Sequence, residues 1–299
     1  MTGAKPGQPV NLGSGITRIL APNPSPMTGP GTNTYLVGMS AGIAVIDPGP
    51  SVTAHLDAIL ASLGPRQHVS HILVTHPHLD HSGLAPALAA ATSAPVFGFG
   101  PAGSARSPRM NDLAACGDLG GGEGRDAGFA PDRRVAHDDV IIGEGWQINV
   151  LHCPGHMAEH LCFAFGDQLL SGDHVMGWST SLVSPPDGDM GAFMASLAQL
   201  LQQRWSRFLP GHGSVIEDPA ARLDELVAHR LARAAAILSA VTGGARTLAE
   251  ITALVYADTP PALHAAAARN AFAHLIDLVD KGRILATPSL TTAAMFELA

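Results

Sequence analysis

Three imidazoles and a carboxylate fall within Thr75-His76-Pro77-His78-Leu79-Asp80-His81, directly after the apolar run His71-Ile72-Leu73-Val74. A short apolar run of this kind predicts a buried strand, and alternating residues leaving a strand point the same way. His76 and His78 therefore address one point, with Asp80 and His81 one step further on. Neutral imidazole and carboxylate suit zinc, manganese or iron. Chance is the competing explanation, since 15 histidines among 299 residues will place two close together by accident. A set of four ligands over 76–81 is harder to obtain that way, and the rest of the chain decides between the two.

The surrounding pattern is α/β. Thr34–Val37 and Ile43–Ile46 are apolar runs bounded by Gly38 and by Asp47-Pro48-Gly49-Pro50, which predicts two strands joined by a turn. Helical spacing follows over 52–63, then the strand 71–74, the ligand loop and an alanine-rich helix from about Ser82 to Ala91. From about Gly98 to Gly128 the pattern dissolves into Gly, Pro, Ala and Arg, including Gly120-Gly121-Gly122, and reads as a covering loop. Strands resume at 147–150, 160–165 and 168–171, a helix spans about 190–203, and a short strand 207–209 leads into Pro210-Gly211-His212-Gly213. After Asp218 the chain turns helical. A long amphipathic helix covers 220–240 and stops at Gly243-Gly244, Thr247 and Glu250 form a capping-box pattern, and a third helix runs from about 261 to 280. With a small hairpin at 283–285 and 290–295 this predicts a winged-helix-like unit, so the expected division is 1–217 and 218–299.

Composition narrows the function classes. A hydrophobic content of 46% makes the chain globular, and a formal charge of -8 gives no general attraction to phosphate backbones or anionic membranes. Cys116, Cys153 and Cys162 are odd in number and lack Cys-x-x-Cys spacing, which argues for buried thiols in a reducing compartment. No stretch reaches membrane-span length and Met1 to Val10 lacks an apolar leader, so a cytoplasmic location is expected.

Two ions held about 3.5–4 Å apart need more than four ligands. His156 in Pro154-Gly155-His156, Asp173 in Ser171-Gly172-Asp173 and His212 each follow a predicted strand, where α/β folds place their sites. A Gly-His or Gly-Asp pair alone is ordinarily just a turn. Together with 76–81 the three supply seven ligands. His152, His160 and His174 are expected to orient the ligands by hydrogen bonding. His55, His68, His71, His137, His229, His264 and His274 read as ordinary surface or core residues.

The series His-x-His-x-Asp-His at 76–81, Leu-His-Cys-Pro-Gly-His at 151–156, Ser-Gly-Asp at 171–173 and Pro-Gly-His-Gly at 210–213 resembles the metallo-β-lactamase superfamily in order and spacing. The segments 21–26 and 31–37, with the helical tail, resemble its lactamase-beta-2-like branch. The resemblance implies a four-layer αβ/βα sandwich carrying a winged-helix-like C-terminal domain, with two zinc ions or alternatively manganese or iron. It assigns His76, His78 and His156 to one ion, Asp80, His81 and His212 to the other, and Asp173 to the bridge. Cys153 and Met157 depart from the threonines usual around the His156 ligand.

Such a site activates water as hydroxide near neutral pH and polarises the bond under attack. Asp80 is expected to orient the nucleophile and pass a proton to the leaving group. Asn33, Trp178, Ser179 and Thr180 are the expected substrate contacts, with the loops 27–33, 98–135 and 184–189 around them. The expected substrate is a small ester, thioester or lactone. A single-strand-directed endoribonuclease is the second reading, opposed by eight acidic against seven basic residues over 218–299, a net of -1 where nucleic-acid binders carry a basic face. The distance from Asp173 to His212 also leaves no room for a large inserted RNA-processing domain. A mononuclear iron dioxygenase would not need Asp80, His81 and His212 together. A non-catalytic nucleic-acid-binding regulator would need neither an intact ligand set nor a negative charge.

Overall fold

Strands buried on both faces read as continuous apolar runs, and here successive residues divide between two cores. In the computed structural model, which describes residues 5–117, 122 and 124–299, one sheet is ordered β1-β2-β3-β4-β5-β6-β7. Its strands are β1 (Pro9–Gly13), β2 (Ile16–Leu20), β3 (Asn33–Val37), β4 (Gly42–Ile46), β5 (His68–Leu73), β6 (Val96–Gly98) and β7 (Arg133–Arg134). Pairing is antiparallel from β1 to β4 and parallel from β4 to β7. The second sheet comprises β8 (Val140–Gly143), β9 (Trp146–His152), β10 (Leu161–Phe165), β11 (Gln168–Gly172) and β12 (Arg207–Pro210), antiparallel except for β11 with β12.

Tyr35, Val37, Ala44, Ile46 and Leu73 of the first sheet meet Ile148, Val150, Phe163, Leu170 and Leu209 of the second, forming the core between the sheets. Their neighbours in sequence point outward. Leu36, Val45 and Ile72 pack with Ile59 of α1 (Thr53–Ala61) and with Leu88, which lies beyond the single turn α2 (Leu79–Ser82) in α3 (Ala85–Thr92). On the other side Cys162, Leu169 and Phe208 pack against later helices. The result is the expected four-layer sandwich with two mixed sheets.

Around α4 the chain differs from the sequence reading. The segment expected to be loop contains α4 (Pro108–Cys116), opened by Ser107, whose hydroxyl accepts the Met110 N–H at 3.3 Å, with proline at the first turn. Gly120 and Gly121 of the expected glycine loop lie outside the described residues. Cys153 and Cys162 are buried thiols, whereas Cys116, at the end of α4, is exposed.

On the outer face of the second sheet lie α5 (Met190–Leu200) and the first half of α6 (Pro219–Thr242), which contribute Phe193, Leu197, Leu223 and Leu226. The second half of α6 contributes Ile237 and Val241 to a separate core. That core contains Ile251 of α7 (Leu248–Val255), Phe272, Leu275 and Ile276 of α8 (His264–Asp280), and Ile284 and Phe296 of the hairpin β13 (Ile284–Thr287) and β14 (Met295–Leu298). The boundary expected near 218 therefore falls at the start of a helix that serves both cores. The predicted capping box is present: Thr247 accepts the Glu250 N–H and Glu250 accepts the Thr247 N–H. No helix among the described residues is long and apolar enough to cross a membrane.

Candidate metal centre

The sandwich brings the strand ends together. His76, His78, Asp80 and His81 follow β5, His156 follows β9, Asp173 follows β11 and His212 follows β12. Three overlapping groups result: His76, His78 and His156; His76, His81 and Asp173; Asp80, His81 and His212. In the first, His78 Nδ1 lies 2.9 Å from His76 Nε2 and 3.2 Å from His156 Nε2. In the last, His212 Nε2 lies 3.3 Å from His81 Nε2 and 3.2 Å from Asp80 Oδ2. Tetrahedral ligation at a metal–nitrogen distance of about 2.1 Å puts donors about 3.4 Å apart, so this spacing suits an ion at the centre of each of these two groups. Asp173 Oδ2 is 3.8 Å from His156 Nε2 and 3.4 Å from His212 Nε2, so one carboxylate reaches both groups.

The opposite edge of four of the five rings fixes the tautomer. His81 Nδ1 lies 2.8 Å from Asp47 Oδ2, His156 Nδ1 2.7 Å from the Leu182 carbonyl, and His212 Nδ1 3.2 Å from the Gly31 carbonyl. His76 Nδ1 lies 2.9 Å from Thr75 Oγ1, whose own proton goes to Asp47 Oδ2 at 2.8 Å. Each acceptor requires N–H at Nδ1 and leaves a lone pair at Nε2, directed at the neighbouring ligands. Asp173 Oδ1 is buried with no hydrogen-bond partner. Converging lone pairs around an unsatisfied carboxylate oxygen fit a positive charge, and these residues are consistent with a pair of metal ions.

Titration follows the same division. Burial, then neighbouring imidazoles, push His76 well below the ordinary histidine range, and burial with His156 pushes His78 down to about 3. Burial acts in the same direction on His212, but the Asp173 charge and hydrogen bonds outweigh it and raise this imidazole to about 9. His81 is raised well above its usual range against burial by Asp80, Asp173 and Asp47. The carboxylate-rich half of the site thus demands positive charge, supplied by protons or by a cation.

Asp47 escaped the sequence reading. It stands at the end of β4 in a left-handed conformation (φ 50°), accepts the Thr75 N–H at 2.8 Å and is 2% exposed. The strand-end rule that located the ligands also reaches it, because Asp47-Pro48-Gly49 closes an apolar run in the same way. Of the three histidines expected to orient ligands, His160 lies closest to the centre. Its Nε2 accepts the Asp173 N–H at 3.1 Å and its ring stacks on His76. His152 instead turns to the Ala158 carbonyl at 2.8 Å and stacks on Phe99, while both ring nitrogens of His174 are buried without a partner.

Above the ligands opens a cleft of about 850 Å³. Asn33, Trp178, Ser179 and Thr180 do not line it. Asn33 is buried and donates to the carbonyls of Pro210 and Gly213, which holds the His212 turn, and Trp178 packs over Gly29 and Gly213. The Ser179 hydroxyl donates to the Thr180 carbonyl. The cleft wall comes instead from the loops around Met27 and Pro185, from Arg106 and Arg125 of the covering segment, and from Leu263, Ala266 and Arg269 of the C-terminal module. Sequence periodicity gives no sign of this last contribution, because it depends on where α8 docks.

Two mixed sheets between helical layers, with seven His and Asp ligands at the strand ends, define a metal-site α/β sandwich, and the chain belongs to the metallo-beta-lactamase superfamily, whose family model matches residues 27–212. A second family model, the beta-lactamase associated winged helix domain, matches residues 247–291. Among relatives, the "Beta-lactamase-like protein 2 homolog" of Drosophila melanogaster is 32% identical over 290 residues, covering 93% of this chain and 92% of the relative. Its Caenorhabditis elegans counterpart is 29% identical, covering 87% and 82%. A crystal structure of a beta-lactamase domain protein from Burkholderia ambifaria shares the fold with a TM-score of 0.81 at 21% identity, covering all of this chain and 96% of that one. A metallo-beta-lactamase family protein from Thermus thermophilus does so at 0.78 and 23%, covering 97% and 100%.

Proposed function

We propose that the protein is a metal-dependent hydrolase that holds two zinc ions and cleaves a small ester, thioester or lactone. The observation that carries this reading is the set of tautomer-fixed imidazoles converging beneath an open cleft, with Asp173 shared between the groups. When bound, the ions supply water deprotonated near neutral pH and polarise the bond under attack.

The chain's own residues do the rest. His76, His78 and His156 hold one side of the site, and Asp80, His81 and His212 hold the other. Asp80 is the carboxylate most open to the cleft, with its side chain 25% exposed against 10% for Asp173. Burial raises its pKa, but His81 and His212 hold the carboxyl well below the usual range, so it is charged and can accept a hydrogen bond that orients the attacking water. The Thr32 hydroxyl, 3.3 Å from Asp80 Oδ2, fixes its rotamer. Substrate selection falls to the cleft wall, formed by the loops around Met27 and Pro185, the covering segment and, through Leu263, Ala266 and Arg269, the C-terminal module.

The test is metal analysis combined with a substrate panel. About two ions per chain are expected, with turnover of thioesters or lactones under zinc or manganese that is lost in Asp173→Ala. A single ion with full activity, or cleavage of short single-stranded RNA that disappears in His78→Ala while esters remain intact, would overturn it.

A further inference from the structure

The cleft wall beside the candidate metal centre carries three arginines, Arg106, Arg125 and Arg269. The Nε atoms of Arg125 and Arg269 are buried without a hydrogen-bond partner, and both residues line the same cleft as His78 and Asp80. They come from separate elements. Arg125 pairs through its backbone with His78, and its Nη2 donates to the Ala102 carbonyl at 2.7 Å. Arg269 projects from α8 of the C-terminal module. Asp187 is the acidic residue of the far wall and it is already engaged, accepting from Arg106 Nε at 3.1 Å and from Arg106 Nη2, while Arg125 Nε stands 3.9 Å away. Arg269 has no carboxylate partner among the described residues. In a chain of net charge -8, the cleft is lined by Arg106, Arg125 and Arg269, and apart from Asp80 and Asp173 at the candidate metal centre its one carboxylate is Asp187.

Guanidinium forks with unsatisfied donors are the side chains that bind carboxylate and phosphate oxygens. We propose that Arg125 and Arg269 form an anion subsite that holds a carboxylate or phosphate carried by the substrate while its ester or thioester bond lies over the metal ligands. The proposal rests on the hydrolase reading and names its substrate class: anionic esters. It also gives the C-terminal module a direct role in choosing the substrate.

The experiment compares esters bearing a free carboxylate, a phosphate or a neutral methyl cap on the same acyl chain, with wild type and Arg269→Gln. Metal content is measured for both. Wild type is expected to favour one anionic form, and Arg269→Gln to reduce that preference, as a ratio of kcat/KM values, by about tenfold. Which anion is preferred tells a carboxylate subsite from a phosphate one. A ratio unchanged by the substitution, or a wild type that prefers the neutral ester, overturns the proposal. If no ester is turned over, the hydrolase reading fails separately. Calorimetry with succinate and inorganic phosphate then decides the subsite: binding weakened by Arg269→Gln supports it, and equal or absent binding overturns it.

A different observation concerns the metal ligands themselves. Arg230 of α6 is 1% exposed and has no acidic partner among the described residues. It donates to the Ser181 carbonyl and, at 3.1 Å, to Asn270 Oδ1, with its guanidinium 4.9 Å from the Phe193 ring centre. The Ser181 hydroxyl in turn donates to the carbonyls of Asp173 and His174, and the next carbonyl, that of Leu182, accepts from His156 Nδ1. The geometry points to Arg230 as a positioning residue that aligns Asp173 and His156 through the 181–182 strap. Arg230→Met removes the cation while keeping most of the volume, and chelator competition reads metal affinity without turnover. Affinity weakened about tenfold or more, partly restored in Arg230→Lys, is expected. Wild-type affinity in a folded Arg230→Met protein overturns it, and should that variant not fold, Ser181→Ala decides by the same measurement.

Discussion

Asp47 Oδ2 lies 2.8 Å from His81 Nδ1 and 2.8 Å from Thr75 Oγ1, so one buried carboxylate orients a ligand from each half of the site: His81 directly and His76 through the threonine. Replacing Asp47 by Ala removes both supports. Metal affinity is expected to fall about 10–100-fold, the usual effect of deleting a group that orients a metal ligand. Isothermal titration with zinc measures it, and unchanged affinity would mean that the two rings are held by packing alone.

Gly211 approaches the ligands more closely than any side chain would permit. A Cβ there would sit 2.5 Å from Asp173 Oδ1 and 2.6 Å from His81 Cε1. Gly211→Ala is expected to displace the Asp173 carboxylate and abolish stoichiometric metal binding. Circular dichroism together with metal analysis separates this outcome from general unfolding.

Metal removal should also destabilise the sandwich. Ligands on 76–81 belong to the first sheet, and His156, Asp173 and His212 to the second, so bound ions would tie the two sheets at their ends. At free metal about a thousand times Kd, one site adds about 4 kcal/mol. A chelator is therefore expected to lower Tm by several degrees, and a melting curve indifferent to chelation would contradict the placement.

Two histidines remote from the ligands set an acid limit. Burial pushes His55 down to about 4, and burial, then Arg230, pushes His274 down to about 3, both from 6.5. The unfolded chain takes up these protons near pH 6.5 and the folded chain only below 4, so stability is full above 6.5 and declines as pH falls through that window. Each group contributes a slope of about 1.4 kcal/mol per pH unit. His274→Leu should flatten the decline by one such share in urea unfolding of chelated protein at pH 7, 6 and 5. A variant with the wild-type slope would remove His274 from the account.

Much of this was legible because burial writes itself into runs of apolar residues. The strands ending at Leu73, Gly172 and Pro210 are such runs, and the ligands follow them directly. Less was legible at the edges. β1 alternates exposed with half-buried residues, β7 is two exposed arginines, and neither carries a hydrophobic signature. The start of α4 was written in Ser107-Pro108, but glycine and proline around it obscured the helix. The ligand set needed only local order, whereas the cleft wall depends on α8 docking beside the strand ends. Arg269 and Ala266 therefore could not be placed by spacing, and Trp178, near Asp173 in sequence, lies outside the cleft lining.

The helix α6 packs Leu223 and Leu226 on the second sheet and Ile237 and Val241 among α7 and α8. A cut at Asp218 would strip the outer layer from the second sheet as it released the C-terminal module. Family-model borders at 212 and 247 leave this helix to neither side, yet mechanically it is a shared beam. Melting of either end should propagate through it, giving one cooperative transition where two matched domains would lead one to expect two.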